Sequence, residues 1–90
     1  MTLSRAEFLR ILPGAMGEPF DRAESGETTV LTRRAAARQW RIRLTPLAPL
    51  RLGGIAMERL EVEVSFQGYE DEAAEAFMAG FMRHYQRGGG

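Results

Sequence analysis

Trp40, Ile42 and Leu44 alternate with Arg41, Arg43 and Thr45, and Leu60, Val62, Val64 and Phe66 alternate with Glu61, Glu63 and Ser65. A period of two marks strands with one buried and one wet face. Thr28-Thr29-Val30-Leu31-Thr32 is β-branched between turn residues and predicts a further strand, first in chain order. From Glu70 to Arg87 the period becomes helical. Ala73, Phe77, Gly80, Phe81 and His84 form one stripe, with Ala74, Met78, Met82 and Tyr85 beside it. Acids (Glu70, Asp71, Glu72, Glu75) crowd the start of this segment and bases (Arg83, Arg87) its end, as the helix dipole favours. Gly88 is its expected stop.

At the other end, Ser4-Arg5-Ala6-Glu7 matches a capping box, with Leu3 and Phe8 placed for a hydrophobic staple. Phe8, Leu9, Ile11 and Leu12 give the helix an apolar face, and Pro13-Gly14 predicts its end. Residues 14–27, rich in Gly, Pro and acids, read as a loop tethered by Met16 and Phe20. Arg33 to Arg38 contains three alanines but is short and uncapped, so it reads as a hairpin connection. The expectation is one domain over residues 1–90, an α+β two-layer sandwich of order α-β-β-β-α. Its three-stranded antiparallel sheet carries both helices on one face, and 88–90 form a flexible glycine tail.

The segment from Pro46 to Met57 departs from this regularity. It holds two prolines and the Gly53-Gly54 pair, yet also Leu47, Leu50, Leu52, Ile55 and Met57, although connecting segments are normally polar. Its apolar Ile55 and Met57 are odd-numbered while the buried set of the following strand is even, with Glu58-Arg59 at the switch. A bulge or a change of face there is needed to bury them. Either the segment closes the core or it presents apolar surface to a partner.

Composition narrows the chemistry. The 90 residues are 44% apolar and 27% charged, with zero net charge, so no global field draws nucleic acid or anionic membrane. Without cysteine there is no disulfide, thiolate catalysis or zinc–thiolate site. Without lysine there is no Schiff-base chemistry, because every basic residue except His84 is arginine. His84 lacks a nearby nucleophile and orienting acid in sequence. Glu61 and Glu63 share a strand face, but pairing with Arg41 and Arg43 across the sheet accounts for them. No metal-ligand spacing and no phosphate-cradling glycine loop is present, so no catalytic residue, cofactor or metal is expected. No secretory leader or membrane-spanning run is visible, which makes the cytoplasm the expected compartment.

Six arginines and no acid lie between Arg33 and Arg51, with Trp40 among them, a local signature of anion binding. The α-β-β-β-α order is similar to that of double-stranded-RNA-binding domains. Their final helix begins with phosphate-gripping lysines, where this chain has Glu70, Asp71, Glu72 and Glu75. Trp40, in phase with Ile42 and Leu44, reads as core. Gly88-Gly89-Gly90 resembles the tails of ubiquitin-like sulfur carriers, which implies a carrier activated at its C-terminal carboxylate. Those proteins have a ββαββ order with a strand leading into the tail, whereas here a helix does.

The leading expectation is a protein-interaction or accessory domain that forms a homodimer or binds another protein. Its interface candidates are Leu47, Leu50, Leu52, Ile55 and Met57, with Arg41, Arg43, Glu61 and Glu63 setting register. Anion or nucleic-acid binding through 33–51 ranks second, and the Gly-Gly carrier third.

Overall fold

A computed structural model describes residues 1–33 and 37–88. The elements run α1 (Arg5–Met16), β1 (Phe20–Ser25), β2 (Thr28–Arg33), β3 (Gln39–Leu52), β4 (Ile55–Gln67) and α2 (Asp71–Gly88). The strands form one antiparallel sheet in the order β1-β2-β3-β4. The chain is α+β, with four strands rather than the expected three, and its order is α-β-β-β-β-α.

The additional strand is β1, which the sequence presents as loop. Phe-Asp-Arg-Ala-Glu-Ser has a single large apolar residue and no alternation. Backbone pairing holds it instead, with every residue from Phe20 to Ser25 registered against β2, and Gly26 turns the chain at φ 62°. A strand at a sheet edge needs little burial, and its charges discourage pairing with other chains. Thr29, fully buried on β2, donates from Oγ1 to Glu24 at 2.7 Å and accepts from Arg5 of α1 at 3.2 Å. One hydroxyl thereby ties the edge strand to the first helix. The Thr29 and Arg22 hydrogen bonds hold the Glu24 carboxyl below its ordinary range.

α1 begins as the sequence predicts, with the Ser4 hydroxyl accepting from the Glu7 amide at 3.1 Å. The second half of the capping box is absent, because Glu7 turns to Arg10 at 2.8 Å. Pro13 does not end the helix, which runs on to Met16. Pro13 forgoes the hydrogen bond its own N–H would make and crowds the preceding turn, yet its carbonyl still accepts from Gly17, the left-handed cap at φ 67°.

Both helices pack on the sheet face bearing the even-numbered residues of β3 and β4. Phe8 and Leu12 of α1, Phe81 and Tyr85 of α2, and Leu31, Trp40, Ile42, Leu44 and Leu60 form the core. Met16 and Phe20 pack against it as tethers. Aromatic rings line the α2 side, Phe66 meeting Phe77 edge-on at 5.1 Å and Phe8 stacking on Tyr85 at 4.6 Å. The buried stripe of α2 centres on Phe81 and Tyr85, and His84, placed on that stripe by spacing, is exposed. The hairpin connection of Arg33 to Arg38 is shorter than expected, since Arg33 belongs to β2. Its residues 34–36 lie outside the described residues. So do 89–90 of the glycine tail, while Gly88 is the last residue of α2.

Candidate functional site

The segment between the two longest strands is not a loop. β3 continues to Leu52 and β4 starts at Ile55, joined by a two-residue Gly53-Gly54 turn with Gly53 at φ 59°. At about 3.3 Å per residue the ribbon reaches about 20 Å past Pro46, and the long axis of the molecule is 47 Å. Both prolines sit where a strand tolerates them. Pro46 lies opposite Leu60, whose own N–H and C=O point away toward Met1, and Pro49 lies in a bulge.

That bulge decides which way the arm's apolar side chains face. Leu47 pairs with Arg59 and Leu50 with Met57, so Ala48 and Pro49 oppose Glu58 alone. The extra residue reverses the alternation of β3, which points even-numbered residues inward through Leu44 and then turns Leu50 and Leu52 to the helix-free side. β4 keeps its phase throughout. Directly opposed residues share a face, so Leu50, Leu52, Ile55 and Met57 stand together, in line with Glu61 and Glu63. The phase break expected near Glu58-Arg59 is real but lies across from it, on β3. It does not bury Ile55 and Met57; it brings two leucines out to join them. Leu52 is 59% exposed and Ile55 66%, with Leu47 and Leu50 near 40%.

The helix-free face continuing from the arm is polar. Arg43 lies opposite Glu63 with 3.6 Å between charged atoms, while Arg41 faces Ser65 and Glu61 faces Thr45. The expected double Arg–Glu ladder is therefore one exposed pair. Of the described arginines of 33–51, Arg41 and Arg43 are neighbours on the helix-free face, and the others lie apart from them. Arg33 bonds Glu18 and the Arg38 carbonyl, Arg38 stacks on the Tyr69 ring at 4.9 Å, Arg41 and Arg43 lie on the sheet, and Arg51 is on the arm.

Trp40 is fully buried, and its indole N–H donates to Glu18 at 2.8 Å. Glu18 also meets Arg33 at 3.3 Å. Sequence reading passed over Glu18, because a glutamate in a Gly-Pro loop carries no pattern; only the indole's need for an acceptor could have pointed to it. Glu18 lines a groove of about 400 Å³ between the end of α1 and α2, together with Met16, Phe77, Arg83 and His84. His84 packs against Gly14, with its Nε2 3.4 Å from where a β-carbon would stand. The carboxylate is engaged by two donors and no hydroxyl-bearing residue is among those lining the groove, so the described residues assemble no base–nucleophile pair there.

The fold and this surface define a small two-layer α+β domain with a projecting, one-sided apolar β-arm. Comparison with protein-family models, with curated proteins and with solved structures finds no match to this chain. No described helix is long and apolar enough to cross a membrane.

Proposed function

We propose that this domain is a non-enzymatic protein-interaction module of the cytoplasm, and that it self-associates through the apolar face of the β3–β4 arm. One observation carries the reading: Leu50, Leu52, Ile55 and Met57 share one face of a ribbon that packs against nothing in its own chain's core. A chain that needed only a short reversal between two strands would not keep Leu50, Leu52 and Ile55 exposed with a half-buried Met57 beside them. Burying a large aliphatic side chain contributes about 1.5–3 kcal/mol at most, and a two-fold contact uses each residue twice. Arg41, Arg43, Glu61 and Glu63 lie on the same side of the sheet. Exposed ion pairs there contribute about 0.2–1 kcal/mol each, so they set register rather than affinity.

Sedimentation velocity at about 50 µM, a concentration able to reveal micromolar association, should show a dimer for the wild-type chain. The double variant Leu50→Asp, Ile55→Asp should be a monomer with an unchanged circular dichroism spectrum. A wild-type monomer at that concentration rejects self-association. Loss of folding in the double variant rejects the arm as an interface.

A further inference from the structure

We infer that the free edge of β4 between Leu60 and Gln67 accepts an extended peptide whose side chains alternate between apolar and basic. The site lies on the side of β4 away from β3; it shares Glu61 and Glu63 with the face proposed to set dimer register, but not the arm's Leu50, Leu52, Ile55 and Met57.

β4 is the last strand of the sheet, so one side of its backbone has no neighbouring strand. Which residues point that way follows from Leu60. Its N–H donates to the Met1 carbonyl at 2.8 Å and its carbonyl accepts from the Met1 amine at 2.7 Å. This mutual exchange is the hydrogen-bonded pair of an antiparallel ladder. Chain therefore already pairs with this edge at one position, and it sets the phase for the rest. Val62, Val64 and Phe66, at two-residue intervals from Leu60, also direct their backbone groups outward, and no hydrogen bond to another described residue engages them there.

Inside that edge lies a mainly apolar hollow of about 390 Å³ lined by Val62, Val64, Met78, Phe81 and Met82, with Leu47 and Glu61 also in its lining. Met82 is 41% exposed. Methionines fill irregular gaps and repack around different side chains, which suits a surface that receives a strand's inward residues. On the other face of the same edge stand Glu61 and Glu63. Both are exposed, Glu61 has no ion-pair partner among the described residues, and Glu63 meets Arg43 only at 3.6 Å. A strand added here lays alternate side chains into the hollow and the others beside the two carboxylates. The pattern selected is therefore apolar, basic, apolar, basic, the strand-addition mode of peptide recognition.

The same carboxylates favour such a peptide over a second β4: pairing of two β4 edges about Val64 would set Glu61 and Glu63 against Gln67 and Ser65 rather than against bases, and the two neighbouring registers are worse. Two-fold antiparallel pairing centred on Val62 sets Glu61 against the partner copy's glutamate at 63, and pairing centred on position 63 sets glutamate against glutamate. Like charges directly opposite destabilise a strand pair.

The test uses the full chain and a capped seven-residue peptide alternating valine and arginine, followed by fluorescence anisotropy. Controls are the same residues with alternation broken, and a valine–glutamate version. Binding of the first, weaker by about tenfold or more for both controls, is the expected result. Val64→Pro removes one outward N–H at an edge position that tolerates proline, and should weaken binding about three- to tenfold. Glu61→Arg with Glu63→Arg, both at exposed positions, should invert the preference toward the glutamate peptide and serves even where the proline variant unfolds. Equal binding of the scrambled peptide, or an unchanged preference in the charge-reversed chain, overturns the proposal. So does a folded Val64→Pro chain that binds undiminished. The Leu50→Asp, Ile55→Asp variant should bind the peptide as the wild type does; loss of binding there would assign the peptide to the arm and overturn the edge site.

Discussion

Tyr85 sits where the two helices meet, its hydroxyl donating to the Phe8 carbonyl at 2.8 Å and its ring stacked on Phe8. Burial pushes its phenol well above the ordinary value of 10.0. The folded chain therefore keeps a proton that the unfolded chain releases above pH about 10. With fewer protons bound in the unfolded state, stability falls as pH rises through that range, and it is fully present below it. Tyr85→Phe lacks both the titration and the hydrogen bond. Near neutral pH it should be less stable than wild type by about 0.5–1.5 kcal/mol. Urea titrations from pH 8 to 11 should show that gap narrowing on the alkaline side; a constant gap rejects this role for the phenol. The neighbouring contacts show how far single residues were readable. Phe8 and Trp40 are recognisable as core from phase alone. Glu18, which receives the Trp40 indole, is not, because its partner is 22 residues away and nothing local marks the pair.

At the scale of elements, strength of pattern and depth of burial go together. β3, β4 and α2 have clear periods because each has one face on the core and one in water. β1 has no such face to declare. Its hydrogen bonds are backbone groups common to every sequence, and only the Gly26 turn hints at pairing with β2. The arm is a second instance. Two prolines and a glycine pair suggest a loop, but proline is excluded from a strand only where its N–H is needed, and at Pro46 and Pro49 it is not. Because the arm lies beyond the core, removing it should leave the fold intact. Replacing residues 49–57 with a two-residue Asn-Gly turn should give a monomer whose thermal unfolding stays cooperative and falls within a few degrees of the Leu50→Asp, Ile55→Asp monomer. A molten, non-cooperative product would show that the arm supports the core after all.

For the molecule as a whole, the proposed self-association would make stability depend on concentration. A contact made only between folded chains stabilises them by mass action. The midpoint of thermal unfolding should therefore rise as total protein is raised from about 1 to about 100 µM, a span covering micromolar dissociation constants. The double-aspartate chain should show no such rise. A wild-type midpoint independent of concentration, or an aspartate variant that keeps the dependence, removes the arm as the site of assembly. The contact should also change little with added salt, since aliphatic burial is not screened and the ion pairs nearby are minor.

The chain's local order alone determined its class: two amphipathic helices bracketing antiparallel strands, a polar sheet face of alternating charge, and an aromatic-rich core containing Phe8, Trp40, Phe81 and Tyr85. Periodicity records which side of an element meets water, and that much each segment carries by itself. It also marked 47–57 as anomalous, but offered burial and exposure equally. Only the tertiary structure decided between them, because the outcome depends on one extra residue at Ala48-Pro49 and on the strand opposite. A bulge reverses the direction of every side chain beyond it. Register between strands is a relation between two segments, so neither segment contains it. The open edge of β4 has the same origin: a strand's sequence does not state whether it will have a neighbour.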